Sequence, residues 1–192
     1  MSQPLTPTSF IEAATEILVE EGLENLSIVS LCARLRVSRG SFYHHFTSLA
    51  DFEDSYIEHF ERHRAAELLD EIDAAASFRD RSEIAMRLAE KANFSAERAV
   101  RTWALTDDRV AAMLARVEHH YIEVIARSIR SAGGSPAQAR DYAELVLAVW
   151  IGLVMRRDVP QPDLVRRLYR ELEWAANARA HHDAQADAVS PQ

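Results

Sequence analysis

Between Leu31 and Leu49 the chain carries Arg34, Arg36, Arg39, His44 and His45 and no acidic side chain. Acids crowd both flanks: Glu12, Glu16, Glu20, Glu21 and Glu24 before the segment, Asp51, Glu53 and Asp54 after it. The whole chain has a net charge of −8, which argues against a general nucleic-acid coat, because non-specific binding needs a broadly basic surface. A basic island in an acidic chain is instead the pattern of a site-specific reader, with chance clustering of three arginines as the competing reading. In Ser38-Arg39-Gly40-Ser41-Phe42-Tyr43-His44-His45-Phe46, helical spacing turns Val37, Phe42 and Phe46 inward and leaves Arg39, Ser41, Tyr43, His44 and His45 outside. One forked donor, hydroxyls and imidazoles suit phosphate oxygens and base edges. Gly40 permits close approach to DNA or to the preceding helix. The competing reading is an ordinary three-helix packing motif with aromatic filler.

The elements that must hold this surface read as helices throughout. The chain has five glycines, and no run alternates apolar and polar residues as a half-buried strand does. Ser9 with Glu12 suggests a capping box, after which Phe10, Ile11, Ala14, Ile17 and Leu18 share a face and Gly22 closes the helix. Ser27 caps a short second helix carrying Ile28, Leu31 and Leu35 inward, and the pattern breaks at Arg36-Val37. Ser38 caps a third helix, Arg39 to Phe46. Two short helices joined by a tight break form a helix-turn-helix, whose second helix is narrow enough for the major groove and meets base edges with its N-terminal residues. Ser48 and Asp51 open a fourth helix with Leu49, Phe52, Tyr56 and Phe60 on one stripe.

The string Val37 to Phe46, followed by Thr47-Ser48, resembles the signature of the tetracycline-repressor (TetR) family of regulators, and the resemblance covers roughly residues 8 to 55. It implies that Ser27 and Ser38 cap helices and touch phosphate, that Tyr43 and His45 contact the DNA backbone, and that Arg39, Ser41 and His44 face bases. Two positions depart from the family. Its turn usually holds small residues where this chain has Leu35-Arg36; a positive φ at Arg36 would be strained, and Arg36 joins the candidate DNA contacts. The family also tends to a Lys where this chain has Leu49, which puts one phosphate contact in doubt.

Beyond residue 60 the signals are weaker. Ser77 to Asp80 reads as a loop, Ser82 to Asn93 as a poorly patterned helix. Asp108 to about Arg130 is a strong helix with Val110, Met113, Leu114, Val117, Tyr121, Val124 and Ile125 on its stripe, ending at Gly133-Gly134. Pro136 opens a helix that is apolar nearly all round from Leu145 to Met155. Val159-Pro160-Gln161-Pro162 is a hard stop, and Asp163 begins a last helix with Leu164, Val165, Leu168, Tyr169, Leu172 and Ala176 on one face. The expected architecture is all-α: a three-helix helix-turn-helix domain over residues 1–47, a helical regulatory and dimerisation bundle over 48–180, and a polar, disordered tail over 181–192. The resemblance implies a homodimer through helices of about 136–157 and 161–179. Physics agrees, since one helix is too apolar to stand exposed and the other has a stripe that needs a partner. Two reading heads about 34–36 Å apart would then meet a palindromic operator in double-stranded DNA. By helical phase Trp174 falls on the polar face, beside Arg167 and Arg170, and an arginine could stack on it.

The family resemblance further implies an unknown small-molecule effector, for which Met86, Phe94, Trp103, Met113, His120, Tyr121 and Trp150 are the candidate contacts; plain core packing is the competing reading of the apolar ones. His59, His63 and Glu67 share a helical face, as do His119 and Glu123, a spacing that can hold a metal. A solvated or salt-bridged face is the preferred reading of both, so neither metal nor cofactor is assigned. An enzyme is not expected: no histidine follows a Glu by three residues as a di-iron bundle requires, and no nucleophile elbow, phosphate loop or dinucleotide fingerprint is present. Cys32 is the single cysteine, no signal peptide or membrane-length apolar run is visible, and a cytoplasmic protein is expected. The expected function is thus a dimeric, sequence-specific transcriptional regulator, a repressor released by ligand. The alternative is a regulator-like helical scaffold that binds a ligand or protein partner but not DNA.

Overall fold

The computed structural model describes residues 5–73, 75, 77–156 and 161–189. Among them the regular elements are helices: α1 (Pro7–Glu20), a 3₁₀ turn (Leu23–Asn25), α2 (Ile28–Leu35), α3 (Arg39–Tyr43), α4 (Leu49–Asp73), α5 (Phe78–Lys91), α6 (Phe94–Trp103), α7 (Asp108–Ser131), α8 (Pro136–Val154) and α9 (Pro162–Val189). They form two compact units. The first takes the chain up to Arg64 together with Asn93–Ala115, and the second takes Ala65–Ala92 and the chain from Arg116 on. The expected boundary at residue 47 falls inside the first unit, because the opening turns of α4 are tied to the helices before it. Phe52 packs on Phe46 with ring centroids 5.1 Å apart, and Asp51 accepts hydrogen bonds from the Thr47 amide (2.7 Å) and hydroxyl (2.9 Å).

In the first unit α1 starts one turn earlier than Ser9 and Glu12 suggested. Thr6 is the cap, its hydroxyl accepting from the Ser9 amide at 3.3 Å, and Pro7 occupies the first helical position, where a missing N–H costs nothing. Phe10, Ile11, Ala13, Ala14, Ile17 and Leu18 are buried, and Gly22 ends the helix at φ 89°, its amide and that of Glu21 both donating to the Ile17 carbonyl. The core is aromatic. The Phe10 ring lies 5.6 Å from Phe42 and 5.7 Å from Phe46, with Phe42 and Phe46 5.3 Å from each other. Burying such a side chain stabilises by about 1.5–3 kcal/mol. The helix α6 packs on α1, and Trp103 at its end lies 5.7 Å from Tyr56, whose hydroxyl is 3.1 Å from that of Thr15.

The sequence reading did not anticipate α6. Its start is signalled by Asn93, whose side chain accepts from the Ala96 amide at 3.0 Å. Nor is Ser77 to Asp80 a loop: Ser77 caps α5, accepting from the Asp80 amide at 3.1 Å, so the helix begins four residues before Ser82. In the second unit α9 packs on α5 and α8, and Arg166 holds Glu90 through two hydrogen bonds of 2.8 and 3.1 Å, which keeps that carboxyl below its ordinary range. On α7, Ile122 and Ala126 are buried while Ile125 is half-buried, a small rotation of the expected stripe. Gly133 at φ 94° closes α7, and Ser135 and Pro136 open α8. Val159 and Pro160 of the expected stop lie outside the described residues, and α9 opens at Pro162. Its backbone is helical as far as Val189, past residue 181 where a disordered tail was expected; residues 190–192 lie outside the described residues.

Candidate nucleic-acid interface

The candidate surface is assembled from two serine caps and one strained turn. Ser27 caps α2 through a capping box, accepting from the Ser30 amide at 3.2 Å while Ser30 Oγ accepts from the Ser27 amide at 3.0 Å. At its other end, α2 closes with Val37 donating to the Cys32 carbonyl (3.0 Å) and Arg36 to that of Ala33 (3.2 Å), the paired bonds of a Schellman motif. That motif needs a left-handed residue, and Arg36 supplies it at φ 55°, ψ 43°. It is the one non-glycine residue with positive φ among those described. The strain foreseen for this position is therefore present. Cys32 is buried beneath the turn, its thiol 3.6 Å from the Ser38 carbonyl and pushed up in pKa by that burial, which leaves it a packing group rather than a nucleophile.

Ser38 then caps α3, accepting from the Ser41 amide at 3.2 Å, with the two serine hydroxyls 3.1 Å apart. The helix is shorter than expected: it ends at Tyr43, and a turn carried by amide bonds from His44 to Gly40, and from His45 and Phe46 to Phe42, completes the segment. Phe42 and Phe46 are buried as their phase required, which leaves Arg39, Tyr43 and His44 exposed and Ser41 and His45 half-buried. Tyr43 stands edge-on to Phe42 and is 55% exposed, an unusual position for a tyrosine with nothing to cover it. The His44 and His45 rings are 5.2 Å apart, and His45 rests against Phe10 at 5.8 Å. A Cβ at Gly40 would meet only the Ser38 hydroxyl, at 3.4 Å. The preceding helix therefore does not require the glycine.

One expected member of the basic island is not available. Arg34 reaches back to the end of α1, where it pairs with Glu20 at 2.7 Å, Glu16 at 3.2 Å and Glu21. These carboxylates raise the guanidinium pKa still further. Glu16 and Glu20, one turn apart on α1, were the signal for this clamp. The sequence pattern does not show a second clamp: Arg109, at the start of α7, binds Asp54 and Asp107 at 2.7 Å and Glu53 at 2.9 Å, tying the first turn of α7 to the second turn of α4. Leu49, where the family tends to a Lys, is half-buried at the first position of α4.

The other candidates are dispersed. Phe94, Trp103 and Met113 are buried in the first unit; Met86, His120, Tyr121 and Trp150 belong to the second, with Tyr121 and Trp150 buried and Met86 and His120 half-buried. The Nε2 atom of His120 is buried without a hydrogen-bond partner. His59 and His63 stack at 5.2 Å with an interplanar angle of 17°, while the side chain of Glu67 lies outside the described residues. Glu123, beside His119, pairs with Arg140 at 3.5 Å. Among the described residues no three metal-ligating side chains converge. Trp174 is 69% exposed.

A short capped helix that presents a forked cation, hydroxyls and two imidazoles from a rigid aromatic core defines a helix-turn-helix reading head. Residues 10–52 match the family model of bacterial regulatory proteins of the tetR family. That match covers α2, α3 and parts of α1 and α4, and the rest of the chain lies outside it. It is 34% identical over 89 residues to the transcriptional regulator AcuR of Cereibacter sphaeroides; the match spans 45% of this chain and 40% of AcuR. Its fold resembles a TetR transcriptional regulator from Legionella pneumophila (TM-score 0.74, 13% identity, 91% of this chain and 99% of that one). It also resembles a transcriptional regulator from Saccharomonospora viridis solved in complex with choline (TM-score 0.71, 18% identity, 86% and 93%).

Proposed function

We propose that the chain is a dimeric, sequence-specific DNA-binding regulator, acting as a repressor released by a small molecule. The observation that carries the reading is the exposed face of α3 and the turn after it. Arg39, Tyr43, His44 and His45 stand outward from a core of Phe10, Phe42 and Phe46, with Arg36 held beside them in the turn. Arg39, Ser41 and His44 read base edges; Ser27, Arg36, Ser38, Tyr43 and His45 hold phosphates.

Dimerisation is supported by what α8 and α9 leave uncovered. Leu145 on α8 and Met155 at its C-terminal cap are each nearly half exposed, and Trp174 is exposed on α9, apolar area that a second copy would bury. Ligand control is supported more thinly, by a fold relative that holds choline and by the unsatisfied Nε2 of His120. Met86, Tyr121 and Trp150 are the companions proposed for it. No helix of the described residues is long and apolar enough to cross a membrane, and a cytoplasmic site of action fits this reading.

The test is selection of bound duplexes from a random library by the purified full chain, followed by titration of a selected duplex against a scrambled one at two salt concentrations. A specificity ratio of about 10³ or more is expected. Equal, weak binding to both duplexes would support the scaffold alternative instead.

A further inference from the structure

The two outer flanks of α2 differ in character. One carries Arg34, which reaches back to Glu16, Glu20 and Glu21 on α1, so that flank is engaged and acidic. A helical rotation of about 100° per residue sets Val29 and Ala33 together on the other flank, with Arg36 at the end of their row. All three are exposed, Val29 by 54%. Cys32 lies between this flank and the buried face of α2, and its thiol meets the Ser38 carbonyl at 3.6 Å. The start of α3 is therefore on the Val29 side of α2 and away from the Arg34 clamp. The row runs on to the exposed Arg39, Gly40 and Tyr43, and no residue from Leu26 to Ala50 is acidic.

A lone exposed valine is ordinary on a protein surface. This one stands on the flank of α2 that continues into α3, the helix whose N-terminal residues would meet base edges. An isopropyl group neither donates nor accepts a hydrogen bond, so it recognises no phosphate and no polar atom of a base. The major groove has one apolar mark, the C5-methyl group of thymine. The base contacts assigned above, Arg39, Ser41 and His44, are all hydrogen-bonding groups, and none of them is suited to that mark. Valine is also stiff at χ1 within a helix, so its methyls are already held in one orientation and lose little freedom on contact.

We propose that Val29 is a specificity-determining residue: it packs against the C5-methyl group of one thymine in each half-site, a base read from α2 rather than from α3. The inference rests on the DNA-binding reading above. Ala33, one turn further on, keeps the flank low enough for the groove wall to close on Val29. Burying one methyl group contributes about as much as one buried CH₂, so losing it should weaken binding about fourfold per half-site and about fifteenfold for a dimer on two half-sites. The contribution is apolar and carries no counterion release, so the salt slope set by Arg36 and Arg39 should not change with it.

The experiment uses the full chain and a duplex selected as above. Each thymine of the duplex is replaced in turn by deoxyuridine, which lacks the methyl group and keeps every hydrogen-bonding atom. The parent and Val29→Ala are titrated against the set by fluorescence anisotropy at two salt concentrations. The side chain is exposed and alanine favours a helix, so Val29→Ala should melt as the parent does. Expected is one thymine per half-site whose methyl is worth about fourfold to the parent and nothing to Val29→Ala, at an unchanged salt slope. If no thymine methyl matters to the parent, or if Val29→Ala still responds to the one that does, the inference is overturned and the DNA reading stands. Equal weakening of Val29→Ala on the selected and the scrambled duplex would also overturn it, by placing Val29 against the sugar-phosphate backbone. Failure to select any duplex would overturn both readings.

Discussion

Replacing Arg36 by glycine should make the protein more stable and a poorer DNA binder, two effects with separate causes. The residue sits at φ 55°, ψ 43°, where a side chain crowds its own backbone. A left-handed conformation costs a non-glycine residue of order 1–2 kcal/mol. Glycine removes that cost but enlarges the unfolded ensemble, a loss of about 0.4–1 kcal/mol. The net gain expected is thus about 0.5–1 kcal/mol, or a rise of roughly 1–4 °C in Tm for a chain of this length. Urea denaturation at unchanged m-value would measure it. Arg36→Lys keeps both strain and charge, so its stability should match the parent. On DNA, Arg36→Gly removes one cation per subunit, and the salt slope of a dimer should fall by about 1.8. If Arg36→Gly proved less stable than the parent, the claim of strain at this turn would be wrong. If stability rose while the salt slope held, Arg36 would not be a phosphate contact.

Gly40→Ala should hold or raise stability by up to about 1 kcal/mol, since the new methyl meets only the Ser38 hydroxyl in a helix that favours alanine; the same change should cost at least tenfold in operator affinity, read by anisotropy. Asp51→Asn should destabilise at neutral pH and match the parent in acid. The Thr47 amide and hydroxyl lower the Asp51 pKa, so its contribution is complete above the ordinary carboxylate range and vanishes as pH falls through the folded value; parallel melts at pH 7 and pH 3 would show it. Phe42→Ala should cost about 3–5 kcal/mol, because the ring is fully buried among Phe10, Phe46 and Phe52, and chemical denaturation would register the loss. Met155→Glu should shift sedimentation from dimer to monomer without lowering helical content, since that side chain stands half exposed just past the end of α8.

The reading head was legible because its signals are local. Serine caps at positions 27 and 38, a break at Arg36 and an aromatic row at i and i+4 each depend on neighbours within a turn or two, and each appears where its spacing placed it. What escaped were features that depend on residues far apart in sequence. Arg34 counts toward the basic island until α2 folds against the acidic end of α1, and Arg109 meets Glu53 and Asp54 only once α7 comes alongside α4. The missed α6 is a different failure. Its apolar residues Phe94, Val100 and Trp103 are interrupted by Glu97 and Arg101, which are buried as an ion pair at 3.2 Å, so the usual contrast between an apolar and a polar face is blurred. In the second unit the apolar stripes identify helices but not what they bury against, and no residue there announces its ligand.

The Arg34 clamp bears on how such a protein would find its site. Its carboxylates outnumber the one cation they hold, so they cancel a positive charge and place surplus negative charge at the margin of the reading head. Added to a net charge of −8, this would oppose the approach of a DNA rod at that margin. Encounters that begin face-on are productive, and those that begin otherwise are brief. Residence on the vast excess of random sequence is shortened, so a modest population of molecules can survey a genome without being titrated away by it.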